Sequence, residues 1–573
     1  MRKGYLVVEV LLAAALFVTF ATGAIVAVVS SWDANRRAQE QTVAMQYLSE
    51  GLEAVRSIKN QDFANLLPTP SMGVARSAGG VWSFSGSNNA TDSGRYTRVV
   101  SVEDVNRDAS GNIVLTGTPD PSTKKVTSSV AWDFTAARPQ DLTVSTYMTN
   151  WRAGIGPVAP PPMMVYSKTT STPFYRTWDG ATWSGEGLAG TVGGNINFVE
   201  LEISGTRNEA VLGTLDASGN IYAQVWDGGN WGTPTLMANV GSANATTRSF
   251  DIAYERSNDR AIFAYLPGSS ATDFDYRIWD GNDWSGPLTV SAPPTTGVIK
   301  WIELTQNPIS SSNEIALMMI DASIDVYGMV WTGSVWSDMG VATVWDASAS
   351  IATRKAIDVA YEQDSGRAMF IWGSVTSTDQ YYRIWNGTSL TSNTLLDIAA
   401  SGGVANWVEL VARPGSDELM YGVLDAGADL NTRRWLGSAW NTATQNPEHD
   451  VASENITSMV FDLVWETHAS NPGEAWLMWG NGATVSKKQW SGTAWGSASV
   501  LTGSDDTSFI RLKAVSDTGE VLAGIYESAT SATDDIWESN LTGGGTTWSA
   551  ENTLWGGPIS AEPVYFRIDI ATR

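Results

Sequence analysis

Residues 276–284 read Tyr-Arg-Ile-Trp-Asp-Gly-Asn-Asp-Trp, and the fold turns on this stretch. Strand-forming residues lead into an Asp-Gly turn signal, and a second Trp follows five residues after the first. That order predicts strand, tight reversal, strand, with the two indoles as cross-strand neighbours. The pattern recurs. Its first Trp falls at 178, 226, 279, 331, 385, 435, 490 and 537, at intervals of 48, 53, 52, 54, 50, 55 and 47 residues. The second Trp is Trp183, Trp231, Trp284, Trp336, Trp440 and Trp495; Leu390 replaces it once, and in the last copy it is delayed to Trp548. Eight repeats of about fifty residues, each with room for four short strands, predict an all-β, eight-bladed propeller over residues 163–573. Seven blades with one degenerate copy is the alternative count.

Closure of the ring is also suggested by the pattern. Most repeats begin with an inner strand such as Phe-Val-Glu-Leu-Glu-Ile at 198–203, but the copy around Trp178 has no such strand before it. The chain ends in Tyr-Phe-Arg-Ile-Asp-Ile-Ala-Thr, so a C-terminal strand at 564–571 is expected to complete the first blade and leave no open edge.

The inner strands alternate in kind. Asp-Ile-Ala-Tyr-Glu and Asp-Val-Ala-Tyr-Glu mark one type, and Val-Glu-Leu or Trp-x-Glu-Leu marks the other. Aligning them places Glu200, Asp251, Glu303, Asp358, Glu409, Asp462 and Asp569 at one inner position, with Arg511 in the remaining blade. This ring has two readings. One is an acidic channel mouth for a cation or cationic ligand. In the other the carboxylates are structural, bound to backbone N–H groups or to cations between blades, such as Arg176, Arg277, Arg383 or Lys488.

Composition narrows the function classes. The 573 residues carry 60 acidic and 35 basic side chains, a net charge of −25, which disfavours nucleic-acid binding. There is no Cys, which removes disulfides and thiolate chemistry, and only two His, His449 and His468, both expected in loops. No nucleophile-elbow, zinc-protease, phosphate-loop or dinucleotide motif is present, so no enzyme activity, metal or cofactor is expected. Asp104, Asn106 and Asp108 have the alternate spacing of a calcium loop, but Gly111 comes two residues late, and a hairpin turn accounts for the stretch.

The N-terminus has a different character. Residues 10–29 hold only Thr19 and Thr22 as polar groups, long enough as a helix to span roughly 30 Å of hydrocarbon. Arg2 and Lys3 precede the run and Glu9 lies at its start. Helical periodicity continues through 35–67 until Pro68 and Pro70. Strand-like stretches follow at 95–104, 112–118, 125–133 and 142–151, and then the linker Arg-Ala-Gly-Ile-Gly-Pro-Val-Ala-Pro-Pro-Pro.

Gly4, the aromatic Tyr5, Glu9 and the long apolar run together resemble the prepilin motif of type IV pilins and pseudopilins. The resemblance implies that a prepilin peptidase cuts after Gly4 and methylates Tyr5, where the family more often has Phe. It also implies that Glu9 pairs with the α-amino group of a neighbouring pilin subunit during filament assembly. The expected organisation is a leader at 1–4, a long helix at 5–67 with its membrane half at 5–30, and a pilin-like β domain at 68–152. A Pro-rich linker at 153–162 and the propeller complete it. The Trp-rich repeats are similar to those of lectin propellers, which makes Trp178, Trp183, Trp226, Trp231, Trp279 and Trp284 candidate faces for a surface glycan or protein ligand, with blade packing as the competing role. These expectations describe a minor pilin, in the cell membrane before assembly and on an extracellular pilus afterwards, displaying an adhesive head. A major subunit whose propellers coat the fibre and a surface glycosidase are the alternatives.

Overall fold

The computed structural model describes residues 3–572 apart from 62, 78–79, 93, 109–111, 115, 136, 150–159, 169, 291–295, 376–378, 397, 399–402, 443–447, 451–455, 483, 503–505, 517, 528–534 and 557–565. The chain divides into two compact units, Met1–Pro157 and Val158–Arg573.

In the first unit a single helix, α1, runs from Lys3 to Gln61. Its two halves differ. From Val7 to Trp32 the large apolar side chains stand in the open, Phe20 at 77% and Trp32 at 78% exposure. Farther along, Ala44, Leu48, Val55 and Ile58 recur at helical spacing and are buried against Val100, Val102, Val126, Val130 and Trp132. A Cβ at Gly51 would come 2.5 Å from the Ser128 hydroxyl, so only glycine lets the sheet approach the helix this closely. Glu40 is buried at this contact, ion-paired with Arg36 and Arg95 and accepting the Trp132 indole N–H at 3.0 Å.

The antiparallel sheet under the helix is ordered Thr69–Met72, Tyr96–Arg107, Thr118–Thr135, Arg138–Thr149. The sequence suggested strands at 112–118 and 125–133. Instead Ile113–Val114 is a two-residue pairing, and one strand spans Thr118–Thr135. Pro119 is tolerated because residues 118–120 pair on one side only, with Val105, Asn106 and Arg107. Asp104 is ion-paired with Lys124, and Asp108 accepts the Asn112 N–H, so this segment is a hairpin end.

The second unit is a propeller of eight four-stranded antiparallel sheets. Numbered from the N-terminus, blade 1 is ordered Gly187–Leu188, Phe174–Thr177, Met163–Tyr166, Ile568–Ala571, so the last strand of the chain is its innermost. Blades 2 to 8 follow in sequence order, each from the axis outward. Seven blades are excluded. One marker is corrected: Trp537 lies inside the strand Asp535–Leu541, and Leu541 takes the first-Trp position, facing Trp548.

Each Trp hairpin has its glycine in the left-handed region, at φ 95° for Gly180, 94° for Gly228 and 98° for Gly281. The preceding Asp holds the turn: Asp280 accepts the Asn282 and Asp283 N–H groups, and those bonds hold its carboxyl below the usual range.

Candidate functional site at the propeller axis

The alternation of inner strands has a geometric cause. In even blades the strands Ile196–Ile203, Ile299–Gln306, Ala405–Ala412 and Thr507–Ala514 each carry a register shift near their start. In odd blades the inner strands have four or five residues, as in Phe250–Tyr254 and Ile568–Ala571, and pair without a shift. Just past each shift stands an aromatic residue: Phe198, Trp301, Trp407 or Phe509. All four touch Phe566, at ring-centroid distances of 5.8, 5.5, 5.9 and 4.3 Å. The five buried rings plug the axis at this level.

Two residues farther along come Glu200, Glu303, Glu409 and Arg511, level with the four Asp residues of the odd blades. All seven carboxylates are buried. Each Asp uses one oxygen for the N–H of the next residue in its own strand: Asp251 to Ile252, Asp358 to Val359, Asp462 to Leu463 and Asp569 to Ile570, at 2.7–2.9 Å. The other oxygen reaches the following blade, accepting the N–H of Leu304, Leu410, Leu512 or Leu201 at 2.6–2.7 Å. The ring is therefore built from four two-blade units, each tied by one aspartate.

The cations between these units are not the ones the sequence suggested. Arg176 donates to Tyr166 and Ser184, Arg277 to Tyr265, and Arg383 to Asn393, all away from the ring; Lys488 approaches His449. The actual partners are Arg248, Lys355 and Arg511. Arg248 bridges Glu200, Asp251 at 3.2 Å and Glu303 at 2.8 Å. Lys355 holds Asp358 at 3.0 Å and Glu409 at 2.7 Å. Arg511 binds Asp569 at 2.7 Å and lies 3.8 and 3.9 Å from Glu200 and Glu409. Arg248 and Lys355 stand three residues before Asp251 and Asp358; Met459 and Phe566 take that position in the other two units.

Burial dominates the electrostatics. It pushes Asp251 up to about 6 and Asp358 up to about 7 against the pull of Arg248 and Lys355. Asp462 rises to about 7 through burial and the neighbouring Glu409. Burial works against the Arg248 charge too, but Asp251 and Glu303 outweigh it and the guanidinium stays firmly protonated. The ring is thus a buried, cation-bridged network, the arrangement of the structural reading and not of an open acidic mouth.

The candidate Trp residues are packed between strands and blades. Trp178 and Trp226 are buried; Trp183, Trp231, Trp279 and Trp284 are partly buried. Partners within a hairpin meet at 5.4–5.7 Å with steeply inclined rings. Tyr175 of blade 1 packs on Trp226 and Trp231 of blade 2, and Tyr276 and Tyr382 repeat this contact in the next two units. Several marker indoles donate to a glutamate of the preceding blade: Trp178 to Glu520, Trp331 to Glu255, Trp385 to Glu314 and Trp435 to Glu362. The surfaces of Trp178 and Trp226 are spent on these packing contacts.

His449 is not a loop residue but sits in the strand Glu448–Asp450, against Trp495, with burial pulling its imidazole down to about 3. His468 lies in a loop beside Ser470. Among the described residues no group of three or more His, Asp or Glu side chains is placed to hold a metal ion. At the N-terminus, Gly4 and Tyr5 fall within α1, the Tyr5 side chain lying outside the described residues; Glu9 is exposed.

No protein-family model and no curated protein matches the chain. Solved structures do. A lectin, BP39L, from Burkholderia pseudomallei matches at 10% identity and TM-score 0.46, covering 63% of this chain and all of its own. The Aleuria aurantia lectin, a six-bladed β-propeller, matches at 12% identity and TM-score 0.35, covering 62% of this chain and 97% of its own. A eukaryotic initiation factor matches at 6% identity and TM-score 0.38, covering 72% and 98%. These are distant similarities.

Proposed function

We propose that this chain is a type IV pilin-like subunit, inserted in the membrane and processed by a prepilin peptidase, that displays its propeller as a non-enzymatic binding head for a surface glycan or protein. The observation that carries the reading is the divided character of α1. Its second half is committed to its own sheet, whereas from Val7 to Trp32 a continuous apolar surface has no partner in its unit. That stretch is long and apolar enough to cross a membrane, and suits lipid first and the helices of neighbouring copies afterwards. Glu9 lies at the start of the apolar half, where an uncompensated charge calls for a partner.

The binding role is supported by construction. The ring is closed, plugged and cross-bridged, so it is a rigid platform whose loops differ from blade to blade. The charged groups of the axial ring are bonded into the framework, and among the described residues they are spent on backbone N–H groups and on one another. The test is to compare surface binding by cells producing the full chain with cells producing a chain ended after residue 157, alongside a glycan array probed with detergent-solubilised full-length protein. The proposal expects binding that disappears with the propeller. Equal binding by both cell types, with a blank array, contradicts the adhesive role. A subunit that makes up the bulk of isolated filaments would favour the fibre-coat role instead.

A further inference from the structure

One step beyond the ion network, the inner strands open into a cavity of about 240 Å³ lined by Glu202, Tyr254, Arg256, Thr305, Gln306 and Thr572 among others, from blades 1 to 4. Two of these groups are unspent. Among the described residues neither the Glu202 carboxyl nor the Arg256 guanidinium makes a side-chain hydrogen bond or an ion pair, although both line the same small space. The contrast with the neighbouring level is sharp, since every carboxylate of the ring above is bonded. Glu202 and Arg256 are also not paired with each other, so a gap wider than ion-pair contact separates them.

Glu202 has a further peculiarity. Burial raises its carboxyl to about 8; Lys513 and Arg511 act against this, while Asp251 and Asp569 add to it. An ionised Glu202 is therefore undercompensated by the groups around it, and a cation brought beside it would be favoured. Arg256 offers the complementary opportunity at the open side, where its exposed guanidinium can grip a carboxylate in a bidentate manner. Thr305, Gln306 and Thr572 also line the pocket as neutral polar groups, the Thr572 hydroxyl already donating to the Ala514 carbonyl at 2.6 Å. Gln306 is already fixed in place by donating to the Tyr254 carbonyl at 2.6 Å.

We infer that this axial pocket binds a small zwitterion of the amino-acid class, with the ligand ammonium at Glu202 and its carboxylate at Arg256. The site is confined to the propeller and independent of any glycan bound at the blade loops.

The test uses detergent-solubilised full-length protein titrated at pH 8 with glycine, 3-aminopropanoate, 4-aminobutanoate and 6-aminohexanoate, which place the two charges at increasing separation. Binding is read by calorimetry. At least one member is expected to saturate, and its N-acetyl derivative and its methyl ester are each expected to bind at least tenfold more weakly. Glu202→Gln should remove the penalty for acetylation and leave the penalty for esterification; Arg256→Gln should do the reverse. Ala253→Met, which fills the cavity and leaves both charges, should abolish binding while the melting temperature confirms a folded protein. Failure of all four compounds to bind overturns the assignment, as does binding that is unchanged in both charge variants.

Discussion

Asp569, in the last strand of the chain, accepts the Leu201 N–H at 2.7 Å through its Oδ2, across 368 residues of sequence. Its other oxygen takes the Ile570 N–H at 2.9 Å and the Arg511 Nε at 2.7 Å. One carboxylate thus ties blade 1 to blade 2 and blade 8 to blade 1. Asp569→Ala leaves two buried N–H groups and a buried guanidinium without that partner, and is expected to destabilise the propeller by about 2–4 kcal/mol. Thermal unfolding measures the loss. Hydrogen exchange should show the Leu201 amide exposed before the blades farthest from the closure.

Deleting residues 564–573 removes the inner strand Ile568–Ala571 and the Phe566 ring on which four blades converge. The expected outcome is a lower melting transition for the propeller as a whole. A fraying confined to blade 1, with the main transition unmoved, would show that the remaining blades do not depend on the closure.

The indole–glutamate bonds between blades give a matched comparison. Trp331 Nε1 donates to Glu255 at 2.6 Å, whereas the Trp279 indole N–H is buried without a partner. Both substitutions to Phe lose ring volume, but only Trp331→Phe breaks a bond to a charged acceptor, worth about 1.5–3 kcal/mol. Trp331→Phe should therefore lower the denaturation midpoint by clearly more than Trp279→Phe. Equal losses would mean that the indoles act through packing alone.

Acidity should favour the ring. Asp462 accepts the Leu463 and Leu512 N–H groups, and burial with Glu409 alongside raises it to about 7, Arg511 opposing. An aspartate in the unfolded chain titrates near 3.9. The folded state therefore holds the proton to higher pH than the unfolded state does, and this group's stabilising contribution, full below about pH 4, is lost as pH rises through about 7. Denaturation midpoints measured from pH 5 to pH 8 should fall with pH, and Asp462→Asn should flatten the slope.

The spacing of the Trp hairpins made eight blades legible, because the W-x-G turn is local chemistry: glycine at positive φ, an Asp or Asn side chain bonding the turn, and two indoles across the strands. The same view misassigned Trp537 by following the indole and not the turn: Trp537-Glu-Ser lacks the glycine of the marker, whereas Leu541-Thr-Gly carries it and pairs with Trp548. The acidic positions could be aligned, but not their partners. Arg248 and Lys355 precede Asp251 and Asp358 by three residues, a signal present in two of the four units, yet they act on Glu303 and Glu409 in the following blade. Contacts across a ring depend on closure, which periodicity in one chain segment does not display. The unspent pair in the axial cavity was hidden for the same reason: Glu202 and Arg256 become neighbours only when blades 2 and 3 are side by side.

The central claim is that a processed pilin-like helix carries the propeller, and the N-terminus of the mature protein tests it most directly. The full chain is to be isolated from its native membrane or filament fraction and its N-terminal peptide analysed by mass spectrometry, with a Gly4→Leu variant beside it. The account predicts a mature chain that begins at Tyr5 with an N-methylated amine, and an unprocessed Gly4→Leu precursor retained in the membrane. A wild-type chain that retains residues 1–4, or normal processing of the Gly4→Leu variant, would contradict it.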